Sequence, residues 1–138
     1  MKMLLRLCFL IGATIASSVY AGVVLVGHPG IGGTLTAEQA AALYLGKSNK
    51  LPNGNSAVIL ELQSGSPLRV EFHDKVTTKT EAQLQSYWSR LVFTGKGTPP
   101  TQLKDEDQMK YAIASSPNAV GYIDESKVDA SVIVLLKP

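Results

Sequence analysis

The sequence predicts an α/β domain whose sheet is at least partly parallel and covered by helices. Two observations carry that expectation. Short apolar runs rich in β-branched residues recur at 22–27 (GVVLVG), 57–62 (AVILEL), 119–123 (AVGYI) and 131–136 (SVIVLL). Between them lie segments with helical apolar spacing, giving the order strand, helix, strand, three helices, strand, strand. Strands that alternate with helices build a helix-covered sheet.

The first 21 residues read as a leader rather than as part of that domain. Lys2 and Arg6 make a basic start, and an apolar run from Leu7 to Ile15 follows. Val19-Tyr20-Ala21 then places small residues at the two positions a signal peptidase reads, so cleavage is expected between Ala21 and Gly22. The apolar run is too short to span a bilayer comfortably. Leu7 precedes Cys8 where a lipidated cysteine needs a small residue, which argues against a lipoprotein. The expected product is therefore periplasmic and spans residues 22–138 as one domain, large enough for a single core.

Cys8 is the one cysteine, so the mature chain has no disulfide or thiol chemistry. The thirteen basic residues include Lys2 and Arg6, and without them eleven remain against eleven acidic ones. No global field favours nucleic acid or an anionic membrane, and no second apolar run reaches spanning length.

Taken in order, 22–27 reads as a buried strand. Gly30, Gly32 and Gly33 make the following segment a loop. Thr36 with Gln39 forms a capping box ahead of a helix over 37–45, which stops at Gly46. Pro52-Asn53-Gly54 marks a turn before the strand at 57–62. Ser66 suits a helix cap and Pro67 the first helical position, with Leu68, Phe72 and Val76 on one face. Thr80 with Gln83 starts another helix, whose apolar stripe is Leu84, Tyr87, Trp88, Leu91 and Val92. A Gly/Pro loop occupies 94–100. A helix over 105–115 has acidic residues at its start, which suits the dipole. Two strands close the chain.

Ser64-Gly65-Ser66 is the most informative segment. A strand enters a tight turn that opens a helix, where first-turn N–H groups lack intrahelical partners and the macrodipole is positive. Two hydroxyls and a glycine let a small anion approach, and Arg69 one turn further adds formal charge. An ordinary helix cap has the same local pattern. Thr94-Gly95-Lys96-Gly97 is a second candidate, an anion-holding nest with Lys96 as its cation, or else an exposed loop. The loop at Gly30-Ile31-Gly32-Gly33 lacks the full dinucleotide spacing. His28 and His73 are the only histidines, and neither has a second histidine or cysteine at ligand spacing, so neither a metal nor another cofactor is expected. Ser64 is outside the Gly-x-Ser-x-Gly nucleophile pattern, so no enzyme activity is expected.

Three segments in series resemble the substrate-binding proteins of phosphate ABC transporters. These are Leu35-Thr36-Ala37-Glu38-Gln39 with Tyr44-Leu45-Gly46-Lys47, then Ser64-Gly65-Ser66 at the position of a Ser-Gly-Thr phosphate loop, then Ser116-Pro117-Asn118-Ala119-Val120-Gly121-Tyr122. The resemblance runs from about Val23 to Ile123. It implies a type 2 periplasmic-binding-protein-like domain with a mixed, mostly parallel sheet. Members typically close two lobes over phosphate and pass it to a permease. This chain has the length of a single lobe, and Leu60 and Leu62 stand where the larger family carries an arginine and an aspartate. The resemblance therefore implies a small oxyanion, phosphate first, held by Ser64, Gly65 and Ser66. Arg69 and Lys96 are candidate cations from their positions, and an ABC permease or another envelope protein is the expected partner. The alternative is an envelope interaction module built on one binding-protein lobe.

Overall fold

Five strands and four helices are built by residues 22–138, the part of the chain described by the computed structural model. The expected leader, residues 1–21 with Cys8, lies outside the described residues. Strand β1 (Val23–Gly27) is buried along its whole length, as an uninterrupted apolar run requires. Helix α1 (Ala37–Tyr44) starts at the expected capping box: Gln39 N donates to Thr36 Oγ1 at 3.1 Å and Thr36 N to Gln39 Oε1 at 2.9 Å. Strand β2 (Val58–Leu62) leads to α2 (Pro67–Lys75), which Ser66 caps. A second capping box, Thr80 with Gln83, opens α3 (Glu81–Phe93). Asp105 caps α4 (Glu106–Ser115). Strand β4 (Ala119–Asp124), a 3₁₀ turn (Glu125–Lys127) and β5 (Ile133–Leu136) complete the chain.

One strand was not expected. Thr101–Leu103 forms β3, a parallel edge strand beside β2. Three residues directly after Pro99-Pro100 are too few to display a strand period, and β2 supplies the missing specification by pairing.

The sheet order is β3-β2-β4-β1-β5. β2 pairs in parallel with β3 and β4, whereas β1 pairs antiparallel with β4 and β5. Four strands therefore point one way and β1 alone the other, so the mixed, mostly parallel sheet is as expected. From β2 the chain moves outward to β3 through α2 and α3. From β3 it returns past β2 to β4 through α4. Right-handed crossovers in opposite directions place their helices on opposite faces. Neighbouring residues of β4 show both faces. Tyr122 stacks on Phe72 of α2 at 4.2 Å, while a Cβ on Gly121 would lie 2.2 Å from Met109 Sδ of α4. Gly121 thus lets α4 approach the sheet closely.

On the α2 face, Tyr44 lies edge-on to Phe72 at 4.7 Å and donates its hydroxyl to Leu60 O at 2.7 Å. Among the described residues no helix is long and apolar enough to cross a membrane.

Burial pushes the Tyr44 and Tyr122 hydroxyls up from the ordinary tyrosine value near 10, with help from neighbouring negative charge. The native state therefore keeps two protons that the unfolded chain releases. Stability should be intact below pH about 10 and fall above it, by about 1.4 kcal/mol per pH unit for each tyrosine. Urea unfolding between neutral and alkaline pH measures this; a flat profile would contradict the burial of these hydroxyls.

Candidate functional site

The loop joining β2 to α2 is held at both ends. Leu62 N donates to Tyr122 Oη at 3.0 Å, and Leu62 O accepts from Arg69 Nη1 at 3.1 Å. Gln63 N reaches across to Leu103 O at 3.0 Å. Gly65 takes a φ of 90°, which only glycine adopts without strain. Ser66 N donates to Gln63 O at 3.2 Å, and Ser66 Oγ accepts from Arg69 N at 3.4 Å. The amides of Ser64, Gly65 and Leu68 find no acceptor among the described residues. Ser64 and Gly65 are exposed, and no acidic residue stands in the first turn of α2.

This loop sits at the carboxyl ends of the parallel strands. The connection after β2 goes to one face of the sheet, and that after β3 to the other. Such a divergence opens a crevice where α/β sheets bind ligands. Here it is a cavity of about 770 Å³ between residues 62–68 and 104–106, closed at the back by Asp124, Ser126 and Lys127. Two helix starts point into it, with different chemistry. Asp105 Oδ1 accepts from Gln108 N at 2.9 Å, and Glu106 accepts from Asp124 N at 2.8 Å and Lys127 Nζ at 3.1 Å. Helix α4 therefore has its own anions, whereas α2 begins with neutral serines. Asp124 Oδ1 accepts from Ser126 N and Oγ, and its Oδ2 is buried with no partner among the described residues.

A second cavity, about 950 Å³, lies on the other side of the loop. Ser64 and Gly65 line both. Its charged wall is Glu61, Arg69 and Glu81, and its apolar wall includes Leu84, Trp88, Val92 and Phe93.

Arg69 is 5% exposed and far from a free cation. Its Nη1 lies 2.7 Å from Glu61 Oε1, and its Nε donates to Glu81 Oε1 at 2.7 Å. Burial disfavours its charge, but Glu61 and Glu81 outweigh that and raise its pKa. Glu61 is 3% exposed and also meets His73 Nε2 at 2.9 Å; His73 Nδ1 lies 2.9 Å from Thr77 Oγ1. Sequence reading did not single out Glu61, Glu81 or this use of His73. A carboxylate inside the apolar run AVILEL was the available signal, since a buried acid needs a partner. Arg69 and His73, four apart, share the helix face that supplies one.

One further expectation changes. Lys96 is exposed and lines neither cavity beside the serine loop. Its segment is no anion nest: the amides of Thr94, Gly95 and Lys96 donate to Arg90, Val92 and Leu91 carbonyls, closing the C-terminus of α3. The His28 loop lies away from the serines. β1 runs against β2 and β4, so its carboxyl end lies at the far end of the sheet. His28 Nδ1 there accepts from Gly30 N at 2.9 Å. Among the described residues no group of three His, Cys, Asp or Glu is placed to hold a metal ion.

Replacing Glu61 with Ala strands a buried guanidinium and imidazole. The expected loss, by urea unfolding, is about 3 kcal/mol. A loss below about 1 kcal/mol, the level of an exposed pair, would show that the cluster is not a buried network.

No protein-family model matches the chain, and no curated protein does. Solved structures do. A Clostridium perfringens protein described as a phosphate ABC transporter substrate-binding protein, with bound phosphate, is 25% identical with a TM-score of 0.65. The match covers 83% of this chain and 44% of that one. The PstS protein of Borrelia burgdorferi is 15% identical with a TM-score of 0.63, over 83% of this chain and 46% of that one. An ABC-type phosphate transport receptor from Vibrio cholerae is 18% identical with a TM-score of 0.58, over 83% and 45%. The chain thus spans less than half the length of the structures it matches, and what it is similar to is one lobe of a phosphate ABC transporter substrate-binding protein.

Proposed function

We propose that residues 22–138 form an exported, non-enzymatic module that binds phosphate or a similar small oxyanion on the Ser64–Ser66 loop. The carrying observation is the trio of acceptor-free amides at Ser64, Gly65 and Leu68, at the start of a helix with no acid in its first turn. The position of that loop in the switch-point crevice supports the reading, as does the likeness to a phosphate-bound structure. Backbone N–H groups and the hydroxyls of Ser64 and Ser66 do the binding, with no proton transfer or covalent step. Arg69 lies on the second-cavity side of the loop as its nearest guanidinium. The leader directs the chain to the periplasm, and an ABC permease is the natural recipient of the ion.

A second reading, an envelope interaction module, draws on the end of α3. There Phe93 is 91% and Val92 52% exposed, beside Trp88 on the wall of the second cavity. If this patch pairs copies of the chain, light scattering on a sizing column will give a dimer; a strict monomer removes self-pairing.

For the leading reading, replacing Ser64 and Ser66 together with Ala should weaken phosphate binding about tenfold or more, because each hydroxyl bond to an anion contributes about 1.5–3 kcal/mol. Calorimetry measures it. Absence of heat from the unaltered protein across millimolar phosphate would end the small-anion reading.

A further inference from the structure

The bonding of Arg69 carries more than a structural role. Its guanidinium has two usable edges. Nη1 is fully engaged by Glu61 Oε1 at 2.7 Å and Leu62 O at 3.1 Å, which fixes the plane of the group. The other edge, Nε with Nη2, is the one suited to grip two oxygens of a phosphate or carboxylate. Only Nε of that edge is bonded, to Glu81 Oε1 at 2.7 Å. Nη2 makes no hydrogen bond to the described residues and is not among their fully buried unpartnered atoms, so it keeps some contact with solvent. Arg69, Glu81, Ser64 and Gly65 all line the second cavity.

Glu81 differs from Glu61 in how it is held. Its side chain is 34% exposed against 4% for Glu61, and it projects from the first turn of α3, where solvent is available on one side. Rotating it outward removes one bond from Arg69 and leaves the Nη1 ion pair with Glu61 and hydrogen bond to Leu62 O in place.

We propose that the Nε–Nη2 edge of Arg69 is an oxyanion clamp held in reserve, and that the Glu81 carboxylate is its built-in competing occupant. This rests on the proposed oxyanion reading of the Ser64–Ser66 loop and adds a regulated approach to its Ser64–Gly65 end from the second cavity. The incoming oxyanion displaces Glu81, takes Nε and Nη2 as a bidentate pair, and meets Ser64 and Gly65 from the second cavity. Glu81 thereby sets the affinity: the site discriminates against anions too weak to displace a tethered carboxylate, which competes at high effective concentration.

The test compares the unaltered protein with E81A and E81Q, titrating inorganic phosphate by calorimetry and following the Arg69 Nε–H resonance by NMR. E81A frees the edge; E81Q keeps the bulk and removes the charge, and serves where E81A folds poorly. The expected result is phosphate binding about tenfold tighter in the variants, with the Arg69 Nε–H signal moving as phosphate is added. If the unaltered protein binds phosphate but the variants bind it equally or more weakly, or the Arg69 signal stays fixed, the clamp is wrong and the serine-loop site stands. If neither the unaltered protein nor the variants bind phosphate, the clamp and the oxyanion reading fall together.

Discussion

The contact between Glu61 and Arg69 fixes the geometry on which the candidate site depends. Both groups are withdrawn from water, which costs several kcal/mol per ion unless each finds close partners. They do: Glu61 also meets His73, and Arg69 also bonds Leu62 O and Glu81. Breaking the Glu61–Arg69 pair itself leaves charge uncompensated in the interior, so that pair is held far more strongly than a surface pair would be. Its consequence is positional. Glu61 and Leu62 end β2, Arg69 lies in the first turn of α2, and the six residues between have little freedom. The serine loop is therefore tied at both ends, and within it the amides of Ser64 and Gly65 find no acceptor among the described residues.

Topology then decides what that loop faces. Because the crossovers after β2 and β3 run in opposite directions, α2 and α4 leave the same edge of the sheet on opposite faces, and their starts converge across a crevice. The two starts are chemically unequal. α4 carries Asp105 and Glu106 at its own N-terminus, while α2 offers a neutral serine cap with the first-turn amide of Leu68 left over. An oxyanion gains most at the start that has no resident carboxylate. The nearby carboxylates are not idle: Glu106 holds Lys127 and the β4 backbone, which shapes the back of the cavity.

Much of the architecture was legible in the residues. The capping boxes at Thr36 and Thr80 marked two helix starts, and Ser66-Pro67 marked a third. β-branched runs gave four of the five strands. β3 was not legible, because three residues have no period and its existence depends on β2 alongside. The site was legible in part. Ser64-Gly65-Ser66 stood out through its chemistry, but the true surroundings of Arg69 did not, because Glu81 lies twelve residues away in sequence and meets it only once α2 and α3 fold against each other. Glycines at 95 and 97 mimicked an anion nest; helix termination at Gly95 and the packing of Gly97 near Trp88 account for them instead. Glu61 was visible as an acid in an apolar strand, a pattern that marks a buried ion pair before any partner is known.

Oxyanion binding at this loop depends on the acceptor-free amides of Ser64, Gly65 and Leu68. Nitrogen–proton correlation spectra of the folded protein in rising phosphate observe them one by one. The amide signals of Ser64, Gly65 and Leu68 should move together and saturate, while those of the Lys96 segment and the His28 loop stay still. Phosphate that shifts other amides and leaves these three fixed would contradict the account.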